Sequence, residues 1–347
     1  MASPKAATDL AVVIVGYNHR SYLEECFASL KASTYRSFNV FFVDNASKDG
    51  SAEFVRKHHP EITLIEAGGN LGFAGGNNLA IAEALRQDFP YLLLLNPDTV
   101  LAPDCLGALM KEAKPDLVLQ PLILLHRDGQ PTELVNTAGN SLNYLGFSYC
   151  GSYLDPAADH AADTSITLAS GAAVLFPAPA LRTIGLFDEL FFIYHEDVDL
   201  SWRARMAGYD IRLVAAARLW HKYSFSRNAT KLFYSERNRL LFMLKNYSLG
   251  LLVCLAPSFV LNELLVCLYA LVSGWLPAKL RSYGQVARLL PEIGRKRRQL
   301  APLRKRSDHE LAPFLSSRLG FSEMKLPLIE VYNFLSYLNW SLIQLII

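Results

Sequence analysis

Apolar positions over the first hundred or so residues fall into short β-branched or aromatic runs separated by stretches of helical spacing. Val12–Val15, Asn39–Val43, Thr63–Glu66 and Tyr91–Leu95 read as strands, and Ser21–Ala32, Ser51–Lys57 and Gly76–Arg86 as helices. This alternation predicts βαβ units and an α/β sheet, with the fully apolar run Tyr91–Leu95 as a central parallel strand. Ligands bind beyond the carboxyl ends of such strands. In this chain those ends carry Tyr17-Asn18, Asp44-Asn45 and Asn96-Pro97-Asp98. From His126 to about Thr167 the pattern loses its period and reads as loop with some strand, without an assigned role. Chemistry-bearing residues return between Ser170 and Ser226, and an apolar run from Leu249 to Leu276 then opens a different region. The expected organisation is a flexible N-terminus at 1–9, a catalytic domain at 10–247, and a helical, apolar and polybasic region at 248–347.

Length and charge refine this picture. A chain of 347 residues suits one large domain with an appended segment. The formal net charge of +2 is less informative than its distribution, because basic residues concentrate late in the chain. Five dispersed cysteines without a CxxC pair argue against a zinc site or a disulfide framework and suit a reducing compartment. The run Ala11–Val15 is short for a signal peptide, so the N-terminal part is expected in the cytosol.

Several constellations could carry chemistry. Asp44 and Asn45 follow a strand, where a carboxylate can accept hydrogen bonds from a base or ribose, although an Asp-Asn pair also suits an ordinary turn. Gly68 to Asn78 is glycine-rich ahead of a predicted helix, a composition that lets backbone amides approach phosphate, or simply a flexible loop. It is neither a P-loop nor a GxGxxG after the first strand, which disfavours an NAD enzyme. Asp98 ends a buried strand where it can hold a divalent cation, and Pro97-Asp98 is also common turn chemistry. His195-Glu196-Asp197-Val198-Asp199 places three carboxylates at a helix start, where they complement the helix dipole. An acid among the flanking aromatics is a candidate general base. His221, at the end of an apparent strand, can supply a nitrogen ligand or be structural.

Together these residues resemble the family-2 glycosyltransferases of the GT-A fold, most closely the bacterial rhamnosyltransferase-like branch. The resemblance runs from Leu10 to about Ser226 and rests on Val15–Asn18, Val43–Ser47, Gly69–Asn78, Asn96–Thr99 and Glu196–Leu200. It implies a nucleotide-sugar-binding mixed sheet flanked by helices and an inverting, metal-dependent glycosyl transfer from a nucleotide diphosphate sugar. Asp44 would contact the base or ribose, and Tyr17, Asn18, Asn45, Asn70, Gly76, Asn77 and Asn96 would line the donor. Asp98 and His221 would hold Mg2+ or Mn2+, Asp197 would be the catalytic base, and Gly171, Glu196, Trp202 and Arg203 would be acceptor-side or supporting. Asn96 stands where the family's DxD motif has its first Asp, which removes one carboxylate but leaves an amide oxygen. The donor suggested is dTDP-rhamnose, and the acceptor a saccharide or lipid-linked saccharide. A sugar nucleotidyltransferase would need a basic glycine-rich loop where this chain reads Gly-Tyr-Asn-His-Arg, and a non-catalytic protein on the same fold would be expected to have lost Asp98 or Asp197.

Between Lys245 and Lys279 the only charged residue is Glu263. Pro257 and Asn262-Glu263 divide the run into pieces short of the roughly 20 residues that span a bilayer, which predicts a helical hairpin dipping into one leaflet or lying on it. Lys279 to Arg306 holds ten Lys or Arg against Glu292 alone, suited to an anionic cytoplasmic leaflet. Past Leu326 the polar residues Glu330, Asn333, Tyr337, Ser341 and Gln344 recur every three or four positions, as in an in-plane amphipathic helix. The expected location is the cytoplasmic face of a membrane, peripheral or monotopic. A homo-oligomer is left open, and nucleic acid is not expected as a partner.

Overall fold

The computed structural model describes residues 8–223, 228–320 and 329–347. Most of the expected flexible N-terminus, and residues 224–226 at the end of the motif-bearing stretch, lie outside them. The chain divides into two compact units that are interleaved in sequence.

The first unit comprises residues up to Asn140, Cys150–Phe192 and Tyr209–Tyr223. Its elements begin β1 (Leu10–Gly16), α1 (Arg20–Lys31), β2 (Phe38–Asp44), α2 (Ser51–His58), β3 (Thr63–Glu66), α3 (Gly72–Arg86), β4 (Tyr91–Leu95), β5 (Thr99–Leu101) and α4 (Cys105–Glu112). There follow β6 (Leu117–Arg127), β7 (Gln130–Thr137), the two-stranded ribbon of β8 (Asn140–Leu142) and β9 (Ser148–Cys150), which falls almost wholly in the other unit, and then β10 (Thr164–Ser165), β11 (Ala173–Pro177) and α5 (Ala178–Ile184). Beyond α6 (Glu196–Met206), which belongs to the other unit, β12 (Asp210–His221) completes the sheet. The order is β10-β12-β6-β11-β4-β1-β2-β3, with β5 on β12 and β7 on β6. The expected mixed α/β sheet is therefore present. β4 is parallel to β1 on one side and antiparallel to β11 on the other. β1 is buried throughout, and Leu23, Cys26 and Phe27 of α1 join Val12, Ile14 and Phe42 in one apolar core.

The stretch from His126 to Thr167 is loop with some strand, as expected: β6 reaches Arg127, and β7 to β10 are separated by turns. Their polar residues hide the period because β7 is exposed over its first half and buried only from Val135 to Thr137. Helix α3 starts at Gly72, four residues before the predicted start, so most of the glycine-rich run is helix and not loop. Its glycines are packing devices. A Cβ on Gly76 would sit 2.7 Å from Val15 Cγ1, and Gly72 (φ +70) passes so close to Phe192 that a Cβ would meet its carbonyl oxygen at 2.4 Å.

The second unit comprises Ser141–Tyr149, Ile193–Gly208 and the described residues after 224. Besides α6 it holds α7 (Ala229–Asn246), α8 (Leu249–Val272), α9 (Leu276–Leu300), the short α10 (Asp308–Leu311) and α11 (Ile329–Gln344). α8 runs unbroken through Pro257, whose missing N–H removes one of roughly twenty backbone bonds in a helix this long. The expected break there does not occur, nor does one at Asn262-Glu263, which turns both side chains inward. Glu263 accepts from Arg239 (2.5 Å), Lys279 (2.7 Å) and the Tyr283 hydroxyl (2.6 Å). Glu236 accepts from Arg239 (2.9 Å) and from Lys279. Two buried acids thus meet two buried cations, and Lys279 is withdrawn from the polybasic surface expected of it. A second buried knot joins Asp199 to Arg203 (2.9 Å), Lys245 (2.8 Å) and Asn246 (2.8 Å). On α11 the expected polar stripe is only partly exposed, because Asn333 is buried and bonds both backbone groups of Leu319.

Burial would raise the Glu236 carboxyl, but Arg239 and Lys279 outweigh it and bring it down to about 2. A carboxyl whose pKa is depressed on folding contributes stability that is complete above its unfolded value, near 4.5, and lost as pH falls towards 2. The second unit should therefore lose near-ultraviolet circular dichroism across that window. Glu236→Gln should be less stable at pH 7 and show a shallower dependence below pH 4.5. An identical acid profile in the variant would remove Glu236 from the cause.

Candidate functional site

In the first unit the parallel register Gly16↔Asp44 and Ile14↔Leu95 brings the ends of β1, β2 and β4 to one edge of the sheet. Asp44 lies there almost completely buried. Its Oδ2 accepts from Ser47 N (3.1 Å), while its Oδ1 is buried and meets no partner among the described residues. An acceptor withdrawn from water and left open in this way is suited to a donor on a bound molecule.

The asparagines around it act as braces. Asn18 takes a positive φ of 58°, and its Oδ1 accepts from Lys48 N (2.8 Å) while its own N–H donates to Ser47 Oγ (3.0 Å), tying the β1 loop to the β2 loop. Asn45 donates to Gly72 O (2.9 Å) and Asn70 Oδ1 (3.2 Å) and accepts from Leu71 N (2.9 Å), so it organises the entry to α3. Asn70 Oδ1 also accepts from Gly72 N (2.9 Å). Asn77 is buried and donates to Phe73 O (2.9 Å), and Gly76 faces Val15. Tyr17, also expected at the donor, is exposed, 42% accessible. Gly171 is buried in the turn Ser170–Ala172, from which Ala172 O accepts the Asn96 N–H (2.9 Å). Asn96 O in turn accepts from the Thr99 hydroxyl (2.6 Å), which fixes the backbone leading to Asp98.

Strand pairing explains how residues 98 and 221 meet. β5 lies antiparallel on β12 with Thr99 opposite His221, and Lys222 N donates to Asp98 O (2.9 Å). His221 Nε2 comes to 3.3 Å from Asp98 Oδ1. Burial alone would raise the Asp98 carboxyl, but the hydrogen bond and charge of His221, with a smaller contribution from His19, hold it below the ordinary range. On the far side of the ring, His221 Nδ1 is 2.9 Å from Asn136 Oδ1. An amide oxygen only accepts, so Nδ1 donates to Asn136; the contact with Asp98 then needs a second proton on Nε2, and a cation bound between them would take that proton's place on the Nε2 lone pair.

A carboxylate oxygen and an imidazole nitrogen 3.3 Å apart fit two adjacent ligands of one octahedral cation, which at bonds of about 2.1 Å would stand about 3 Å apart. Among the described residues no cluster of three or more His, Cys, Asp or Glu side chains forms a ready cage. The remaining positions would fall to water and substrate oxygens, as Mg2+ prefers. Asn136 is the functional residue that the sequence alone does not reveal. It sits in β7 within the unassigned stretch, carries no motif, and is recognisable only from the pairing of β6 with β7 and β12.

In the second unit Tyr194 and His195 adopt consecutive positive φ values (68° and 67°) just before α6. Such conformations cost roughly 1–2 kcal/mol each for non-glycine residues. The strain is held by Asn238, whose Nδ2 donates to Ile193 O (2.8 Å) and Tyr194 O (2.6 Å). His195 Nε2 donates to Gly146 O (3.2 Å), and burial pushes its pKa down to about 4, so the ring is neutral. The three carboxylates that follow differ in kind. Asp199 is consumed by its buried ion pairs. Glu196 is buried with an unpartnered Oε2, and burial, with the charges of Asp197 and Asp199, pushes its carboxyl well above the usual range. Asp197 is half-exposed, with Oδ1 accepting from Val198 N (2.8 Å). Trp202 packs against Phe242 and Tyr247, and Arg203 bonds Asp199, so both serve the interior of this unit.

The chain matches the sequence patterns of two known families. That of the glycosyl transferase family group 2 matches residues 91–280, and that of glycosyl transferase family 2 matches residues 11–133. The chain is 29% identical over 242 residues to an N-acetylglucosaminyl-diphospho-decaprenol L-rhamnosyltransferase of Mycobacterium tuberculosis, covering 62% of this chain and 77% of that protein. It is 24% identical to the rhamnosyltransferase WbbL of Escherichia coli, covering 66% and 88%. Among solved structures, the mannosyltransferase PcManGT from Pyrobaculum calidifontis, in complex with GDP-Man and Mn2+, superposes with a TM-score of 0.50 at 19% identity over 85% of this chain and 84% of that one.

Removing the tautomer lock should loosen the cation. Asn136→Ala is expected to weaken Mg2+ or Mn2+ binding about 10–100-fold, the usual cost of losing an outer partner of a ligating histidine. Titration of metal into metal-free protein measures this, and an unchanged affinity would show that His221 needs no such support.

Proposed function

The chain belongs to the family-2 glycosyltransferases of the GT-A fold, in the rhamnosyltransferase-like branch, and from that we propose an inverting, metal-dependent transfer of rhamnose from dTDP-rhamnose to a lipid-linked saccharide at the cytoplasmic face of a membrane. The catalytic part is residues 10–247, and the membrane-associating part residues 248–347. The observation that carries the reading is the Asp98–His221 pair with its Asn136 support, a preformed oxygen and nitrogen ligand pair at the ligand end of the sheet.

Asp44 accepts a hydrogen bond from the nucleotide through its open Oδ1, and the backbone braced by Asn18, Asn45 and Asn70 shapes the donor pocket. Asp98 and His221 hold the divalent cation, Mg2+ or Mn2+. When bound, the cation stabilises the negative charge that grows on the departing diphosphate. Asp197 takes the proton from the acceptor hydroxyl. The acceptor oxygen forms its bond to the anomeric carbon from the face opposite the diphosphate, whose C–O bond breaks with the electron pair leaving on the nucleotide diphosphate. Configuration inverts. The assignment of the base to Asp197 is supported by its neighbours, since Asp199 is locked in ion pairs and the Glu196 carboxyl is pushed upward by burial and by the charges of Asp197 and Asp199.

With full-length protein and a panel of nucleotide sugars, dTDP-rhamnose is expected to give metal-dependent turnover that EDTA abolishes. Equal turnover in EDTA would sink the metal site, and preference for another donor would replace rhamnose. Asp197→Asn should lower kcat by about a hundredfold to ten-thousandfold with donor binding unchanged. Glu196→Gln, which removes the charge and keeps the side chain's shape, should stay within about tenfold of the parent. A reversal of these two results would move the base to Glu196.

A further inference from the structure

The exposed side of the second unit is apolar to a degree that water does not favour. On α8, Val253, Val260, Leu264, Leu268 and Val272 recur along one stripe and are all exposed, and nine large apolar side chains of this helix stand open in total. Eight more, from Val331 to Ile346, form a second stripe that includes Phe334, Leu338 and Leu342. The two helices are joined through Ser258–Asn339 (2.7 Å) and Asn262–Tyr332 (3.0 Å). Seventeen side chains leaving roughly 100 Å² each make a face well above the roughly 300–600 Å² of the largest patch on a typical monomer.

Two observations identify what covers it. The rotation of α8 is fixed by its one acid: Glu263 is tied inward to Arg239, Lys279 and Tyr283, so the opposite side presents no charge along 24 residues. At the helix's N-terminal end, Ser248 lines a cleft of about 300 Å³ whose wall carries Arg297, Arg298 and Arg304, the last paired with Asp308 (2.9 Å), while the next residue, Leu249, is 70% exposed. An apolar face whose edge passes directly into a cationic cleft matches acyl chains below anionic headgroups. A second copy of the chain would bring the same positive edge against its own.

We propose that α8 and α11 lie together in the plane of a lipid monolayer as a two-helix monotopic anchor, with α9 and its arginines remaining on the side of the protein. Although α8 has the length and composition to cross a membrane, spanning would place the buried four-charge knot of Glu236, Arg239, Glu263 and Lys279 at acyl depth. The inference sharpens the membrane reading above, and its test does not depend on transfer activity.

Full-length protein is floated on phosphatidylcholine vesicles with and without phosphatidylglycerol. Flotation is expected on both, stronger with the anionic lipid, and salt should reduce only the difference. The double variant Leu264→Glu/Leu268→Glu should lose flotation at least tenfold while keeping its circular dichroism, because both positions already face solvent. Failure of the parent to float, or equal flotation of the double variant, overturns the proposal. So does a dimer in sedimentation that the variant dissociates without changing flotation, which would assign the face to a second copy. Arg288→Cys, on exposed α9, should react with an impermeant maleimide added outside sealed vesicles. Reaction only after vesicle lysis would mean that α8 spans. Donor hydrolysis by the double variant in solution, measured alongside, separates failure of the anchor from failure of the transferase reading.

Discussion

A charge taken out of water must meet its opposite or give up its ionisation, and the polar positions of this chain sort themselves by which of these they do. Asp199 meets Lys245 and Arg203, Glu263 and Glu236 meet Arg239 and Lys279, and Asp98 meets His221. Glu196 meets no cation among the described residues, and burial pushes its carboxyl toward the protonated form. Ion pairs of this kind contribute little net stability compared with apolar packing, but removing one member is expensive, so they act as orientation devices. Glu263 decides which side of α8 faces outward, and Asp199 anchors the helix that begins with Glu196 and Asp197.

The same constraint separates supporting polar residues from those left open for chemistry. Asn18, Asn45, Asn70 and Asn77 have hydrogen-bond partners within the protein, and those bonds hold loops and the start of α3. Among the described residues Asp44 keeps one buried oxygen unpartnered, and His221 turns its Nε2 toward Asp98. Stabilising groups close their valences internally. Groups that bind a substrate cannot do so until the substrate arrives.

This distinction also explains what was legible in the sequence. The strands β1 to β4 and the acids at their ends follow from local pattern, because a buried strand must be apolar and its polar end must reach the sheet edge. The start of α3 was hidden because Gly72, Gly75 and Gly76 have low helix propensity, and only contacts with Phe192, Leu71 and Val15 reveal why glycine is required. Lys279 read as surface charge because its partners lie 16 and 43 positions away. Asn136 carries no local signal at all: its significance comes from a ring nitrogen 85 residues later.

The interleaving of the two units sets an order of events during synthesis. The segment bearing Asp197 emerges early, yet the strained turn before it is held by Asn238, Asp199 next to it is neutralised by Lys245, and Glu263 and Lys279 must be present before Arg239 is fully matched. A ribosome that has finished the sheet has therefore not finished this helix, whose supports arrive tens of residues later. The carboxylates at the start of α6 lack their surroundings until α9 is complete, when the helical unit can close as a whole.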